Sequence, residues 1–120
     1  MRIVIHNENG NCIAELISDI IEIRNTRDAL DLIADCSEQG ARKIIINEKN
    51  ITSDFFDLKT GIAGDILQKF SNYDLMLAIV GDFSKYKSKS IKDFIYESNK
   101  TGRIFFVNSI EEAREKLGRE

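Results

Sequence analysis

Apolar residues follow two different spacings along this chain, and the alternation between them predicts strands joined by helices. Ile44-Ile45-Ile46, Leu75-Met76-Leu77-Ala78-Ile79-Val80 and Ile104-Phe105-Phe106-Val107 are unbroken apolar runs. That is the pattern of strands buried on both faces, the usual state of a parallel sheet. Phe55, Leu58, Ile62, Ile66, Phe70 and Tyr73 instead recur every three or four residues, and Phe56, Ala63 and Leu67 widen the stripe. The spacing predicts one long helix from Ser53 or Asp54 to about Asn72. Gly61 and Gly64 then lie one turn apart inside it, each costing about 0.8–1 kcal/mol relative to Ala. Close packing of helix on sheet explains them, or close approach of a ligand or partner backbone.

Met1–His6 and Asn11–Ile17 flank Asn7-Glu8-Asn9-Gly10, which reads as an antiparallel hairpin. Ser18–Arg24 fits no single pattern. Asn25 or Thr26 caps a helix with Asp28 in its first turn and Leu30, Ile33 and Ala34 on its apolar face, and Gly40 ends it. Gly81–Tyr86 reads as a loop, and Ser88 or Ser90 starts a helix carrying Ile91, Phe94 and Ile95. Ser109 and Glu112 have the spacing of a capping box before a short last helix packed through Ala113 and Leu117. A hairpin followed by alternating strands and helices gives an α/β sandwich with a mixed, mostly parallel sheet and about four helices. Each crossover is expected to be right-handed.

Length and charge narrow the classes. A chain of 120 residues makes one domain, 1–120, with a real core. The net charge is −3 with both signs interspersed, so there is no basic stripe for nucleic acid. No apolar run approaches the roughly 20 residues that span a bilayer. The apolar part of Met1–His6 is too short for a secretory signal, which points to the cytoplasm. Cys12 and Cys36 have no metal or redox spacing and read as reduced thiols. Proline is absent, which removes one source of slow isomerisation.

Candidate chemistry gathers where the parallel strands end, because ligands in such folds sit beyond the strands' carboxyl ends. Asn47–Asp54 and Gly81-Asp82 lie on that rim. Glu48, Asn50, Thr52, Ser53, Asp54, Gly81, Asp82 and Lys85 are the candidates for contact with a ligand or partner. No spacing fixes Glu48, Asp54, Asp57 and Asp82 as an acid–base or cation-binding pair. Lys49, Lys59 and Lys85 would partly neutralise them. Thr60-Gly61-Ile62-Ala63-Gly64 lies inside a helical pattern and so is no phosphate loop. The single histidine, His6, has no nucleophile motif around it. Lys85–Ser90 is basic with one aromatic, either a solvated loop or a guide for an anionic ligand. The expectation is a non-catalytic chain with neither cofactor nor metal.

Phe55–Gly64, Ile66–Tyr73, Leu77–Tyr86 and Asp93–Asn99 together resemble the signature of an uncharacterised bacterial family known only as a domain of unknown function. The resemblance covers nearly the whole chain and implies no activity. More remotely, the element order is similar to STAS domains (sulfate transporter and anti-sigma antagonist) and their SpoIIAA-like relatives. That similarity implies a protein-interaction module, some members of which bind nucleotides or lipids. Many carry an Asp-Ser-Ser-Gly-like motif with a phosphorylated Ser or Thr at the start of the helix after the third strand. The matching place here is Ile51-Thr52-Ser53-Asp54-Phe55-Phe56, so Ser53 or Thr52 stands in for the phosphoacceptor. The second Ser and the Gly are missing, and Asp54 already brings a negative charge. A protein partner on this loop, or a small ligand on the rim, are the two functions expected. A homo-oligomer is also expected, since a hairpin edge needs covering.

Overall fold

The computed structural model describes residues 1–119. Strand β1 (Arg2–Glu8) turns through Asn9-Gly10 into β2 (Asn11–Ile17). Both turn residues have positive φ, 51° and 82°, as a two-residue turn between twisted strands requires. Helix α1 (Thr26–Glu38), β3 (Lys43–Asn47), α2 (Ile62–Asn72), β4 (Met76–Val80), α3 (Lys89–Thr101), β5 (Ile104–Val107) and α4 (Ile110–Leu117) follow. The five strands form one sheet in the order β1-β2-β3-β4-β5. The β1–β2 pair is antiparallel and the remaining pairs are parallel. Among the described residues no helix is long and apolar enough to cross a membrane.

Register and side-chain alternation assign the two faces of the sheet. Ala14, Leu16, Ile44, Ile46, Leu77, Ile79, Ile104 and Phe106 share one face with buried residues of α1, α2 and α3. Ile13, Ile45, Ala78, Val80, Phe105 and Val107 share the other face with Ala113 and Leu117 of α4. Each crossover steps to the next strand in the same direction. Crossovers of one hand therefore put α1, α2 and α3 on a single side, leaving the eight residues of α4 to cover the opposite side.

The two ends of the sheet differ. At the β5 edge, the Asn99 side chain of α3 accepts from Phe106 N–H at 2.7 Å and donates to Phe106 C=O at 3.3 Å. One amide side chain thus plays the part of a neighbouring strand. No such plug lies along the outer edge of β1 among the described residues, where β2 is its one neighbour in the sheet.

Several expectations from the spacing need correction. The long central helix is in fact two short 3-10 turns, Ser53–Phe56 and Leu58–Thr60, followed by α2 from Ile62. Asp57 adopts an extended backbone, and Gly61 has φ +77°, so the chain breaks twice before α2 begins. The first turn still buries Phe55 and Phe56, and Leu58 of the second packs half-buried against the core, which keeps the apolar period intact across the breaks. Gly61 is therefore at the helix start and needed for its backbone. Gly64 is inside the helix, but a Cβ there would meet nothing within 4 Å, so close packing does not explain it. Tyr73 is 55% exposed and lies off the buried stripe.

In α1 the buried residues are Ala29, Leu32, Ile33 and Cys36, while Ala34 faces solvent. Asn25 caps that helix by accepting from Asp28 N–H at 2.9 Å. Before α4, Ser109 accepts from Glu112 N–H as expected. Glu112 reaches past it to Asn108 N–H at 3.2 Å, so the capping box is closed one residue early. Burial pushes the Cys36 thiol up to about 12, and Cys12 is half-buried.

The two helix-region glycines make opposite predictions. Gly64→Ala adds helix propensity without a clash and should stabilise the fold by about 0.8–1 kcal/mol. Gly61→Ala forces a side chain into the left-handed region and should cost about 1–2 kcal/mol. Denaturant unfolding of both variants gives the two signs.

Candidate functional site

The rim forms because the chain makes tight turns as it leaves β3 and β4. After Asn47 it folds into a 3-10 turn, Glu48–Asn50, and after Val80 it passes Gly81-Asp82 into another, Phe83–Lys85. Glu48 leans over Gly81. A Cβ on Gly81 would lie 2.6 Å from Glu48 Oε1 and 2.7 Å from its Cβ. The missing side chain is what lets the carboxylate settle on the β4 end.

That carboxylate is the hub of the rim. Lys85 Nζ lies 2.7 Å from Glu48 Oε2, and the Tyr86 hydroxyl donates to the same oxygen. The Glu48 side chain is 13% exposed, against 57% for Lys85. Burial, and then the bond to Glu48, raise the Tyr86 hydroxyl above its ordinary pKa. The Tyr86 ring stacks on Phe56 with centroids 4.7 Å apart and planes 15° apart. Phe56 meets Phe55 edge-on at 4.9 Å and Phe83 at 5.9 Å, and Phe83 meets Phe106 edge-on at 5.3 Å. Lys85 Nζ sits 5.5 Å from the Tyr86 ring centre, within cation–π range. An aromatic row therefore runs from the surface into the α1–α3 side of the core.

Glu48, Lys49, Ile51, Ser53, Phe56, Lys85 and Tyr86 line an open concavity of about 330 Å³. Of the residues singled out from sequence, Glu48, Ser53 and Lys85 are brought together here, with Gly81 beneath Glu48. The others are placed differently. Asn50 is fully buried and points inward: its amide donates to Ser18 C=O at 2.9 Å and to Ile20 C=O at 2.8 Å. Its backbone carbonyl accepts from Glu22 and Ile23 N–H, so Asn50 clamps the Ser18–Arg24 segment to the rim loop. Thr52 caps the next turn by accepting from Asp54 N–H at 3.4 Å. Asp54 is exposed, and its backbone carbonyl accepts from the Thr60 hydroxyl. Asp82 accepts from the hydroxyl and N–H of Ser84, which hold its carboxyl below the usual range.

Tyr86 and Phe56 were not among the residues singled out from sequence as contact candidates. The available signal was the spacing of Phe83 and Tyr86 in an otherwise polar loop, where an aromatic needs a reason to be present. Elsewhere, His6 Nε2 lies 2.7 Å from Glu15 Oε1 on the α4 side of the sheet, away from the rim. Among the described residues no group of three or more His, Cys, Asp or Glu side chains is gathered as a metal site.

A family model described as a domain of unknown function, DUF4180, matches residues 8–117. No curated protein and no solved structure matches the chain.

Two changes test the Glu48 hub. Gly81→Ala should cost about 1–3 kcal/mol, because Glu48 cannot yield without leaving Lys85 and Tyr86. The pH dependence follows from the raised Tyr86 pKa. The unfolded chain loses that proton from about pH 10.0 upward while the folded protein holds it. The stability tied to Tyr86 is therefore whole below pH 10.0 and lost as pH rises above it. Unfolding free energies measured from pH 8 to 11 should show a smaller alkaline loss in Tyr86→Phe than in the wild type.

Proposed function

The chain belongs to the DUF4180 family, and from that premise we propose a non-catalytic, STAS-like module that holds a protein partner around Ser53, Phe56, Lys85 and Tyr86. The observation that carries this reading is how the rim's ionisable groups are committed to one another. Glu48 is held by Lys85 and Tyr86, and Asp82 by Ser84. What they leave at the surface is an aromatic floor, the residue type that anchors protein contacts, with the half-exposed Lys85 beside it. The STAS-like part of the reading rests on element order: a hairpin, three strand-to-strand crossovers and a last helix. The reading also takes the setting to be bacterial, as the resemblance to the uncharacterised family implies, and cytoplasmic.

Within this reading Ser53 is the better phosphoacceptor. Its side chain is exposed and lines the concavity with Lys49 and Lys85, whereas the Thr52 hydroxyl is occupied as a cap. A phosphate on Ser53 would meet those two lysines and alter the surface a partner sees. Asp54, one residue on, moderates the change in charge.

Affinity capture from the native cell extract, followed by mass spectrometry, tests the reading. The wild type should retain a partner that Ser53→Glu and Lys85→Glu lose and that Glu111→Lys, on α4, keeps. Identical capture by all four proteins would place the contact elsewhere.

A second reading, a small-ligand site on the same rim, is favoured by the size of the concavity. Its 330 Å³ lies at the lower end of known ligand pockets, about 300–1,000 Å³. Glu48, Ser53, Gly81 and Lys85 would surround the ligand, with Asp82 at the margin and Asn50 beneath the loop. A ligand at 100 times its dissociation constant adds about 2.7 kcal/mol, a rise in Tm on the order of 10 °C. A metabolite screen should give such a shift in the wild type and not in Lys85→Ala. A screen with no shift ends this reading.

A further inference from the structure

We propose that β1 is the contact strand of a symmetric dimer, pairing antiparallel with β1 of a second copy about Ile5. The two sheet edges motivate it. Phe106 on β5 has its outward N–H and C=O filled by Asn99, so that edge offers nothing at its centre. β1 is seven residues long, pairs with β2 in unbroken register, and lies in a chain without proline. Bulges, prolines and very short strands are among the ways of closing an edge, and β1 has none of them; its charged residues, Arg2 and Glu8, stand at its two ends.

The register says which groups are free. The two-residue turn makes Glu8 and Asn11 the hydrogen-bonded pair that closes the hairpin, and bonded pairs then alternate along it. Arg2, Val4, His6 and Glu8 turn their backbone groups toward β2. Ile3, Ile5 and Asn7 turn theirs outward, and no backbone bond from another segment meets them. Centring a second copy on Ile5 makes Ile5 bond its own counterpart and Ile3 bond Asn7 of the second copy, so every outward residue is used.

The same register matches the side chains. Arg2 falls opposite Glu8 of the second copy, and the two-fold axis repeats the pair. Val4 falls opposite His6. Arg2 is exposed and makes no ion pair among the described residues. Glu8 meets Arg114 through Oε1, which leaves Oε2 for an incoming guanidinium. Val4 and Ile5 are only half-buried in the single chain, so pairing removes further apolar surface from water. An edge that is self-complementary in backbone, charge and apolar pattern fits a second copy of this chain rather than an unrelated strand.

Sedimentation equilibrium and amide hydrogen exchange by NMR test the pairing together. The expected mass is twice 13.7 kDa, with slow exchange at Ile3, Ile5 and Asn7 at high concentration. Dilution below the dissociation constant should release those three amides while Val4 and His6, bonded to β2, stay protected. Arg2→Glu places like charges opposite each other twice and should raise the dissociation constant roughly tenfold. Mixing Arg2→Glu with Glu8→Arg chains should restore a heterodimer of near wild-type affinity. A mass of 13.7 kDa at millimolar protein, or a dimer whose Ile3, Ile5 and Asn7 amides exchange freely, overturns the proposal.

Discussion

One constraint organises this molecule: the order β1-β2-β3-β4-β5 is also the order of synthesis. Every crossover advances in the same direction, so α1, α2 and α3 have to share one face of the sheet. That face receives a deep core, with Phe55, Ile66 and Phe70 almost fully buried beneath the helices. The other face has only the eight residues of α4, and Ala113 and Leu117 close it. The carboxyl ends of the parallel strands then open on a single rim, whose loops send Asn50, Ile51, Phe55 and Phe56 back into the buried interior.

The rim itself depends on a small residue. Gly81 gives Glu48 room to lie against the end of β4, and from there Glu48 gathers Lys85 and Tyr86. Tyr86 in turn stacks on Phe56, so a loop after β4 is fastened to a loop after β3 by one carboxylate and one ring pair. Partial burial makes this fastening costly to break. Ion pairs as exposed as those on the outer helices contribute little, whereas removing a partner from a carboxylate that is 13% exposed leaves a poorly solvated charge behind.

The strands were legible in sequence because burial on both faces leaves unbroken apolar runs, and Ile44–Ile46 and Ile104–Val107 have no other reading. The start of α2 was not. Phe55, Phe56 and Leu58 keep the helical period through two 3-10 turns, and only Asp57 and Gly61 mark the breaks. Asn50 was legible as a polar loop residue, but its turn inward depends on Ser18 and Ile20, some thirty positions away. The Asn99 plug was equally hidden, since its partner Phe106 is met only after the chain has turned at Gly102. The Glu48–Lys85–Tyr86 hub depends on the β3–β4 register, which no local pattern encodes.

The Asn99 plug also has a meaning in time. A strand at the edge of a sheet presents unpaired N–H and C=O groups to any chain nearby, from the moment the sheet forms. β5 is the last strand of the described sheet, and Asn99, seven residues before Phe106 in the chain, is made before the strand it covers. The chain contains no proline, so closing this edge does not wait on proline isomerisation. β1, at the opposite edge, has no such built-in cover among the described residues.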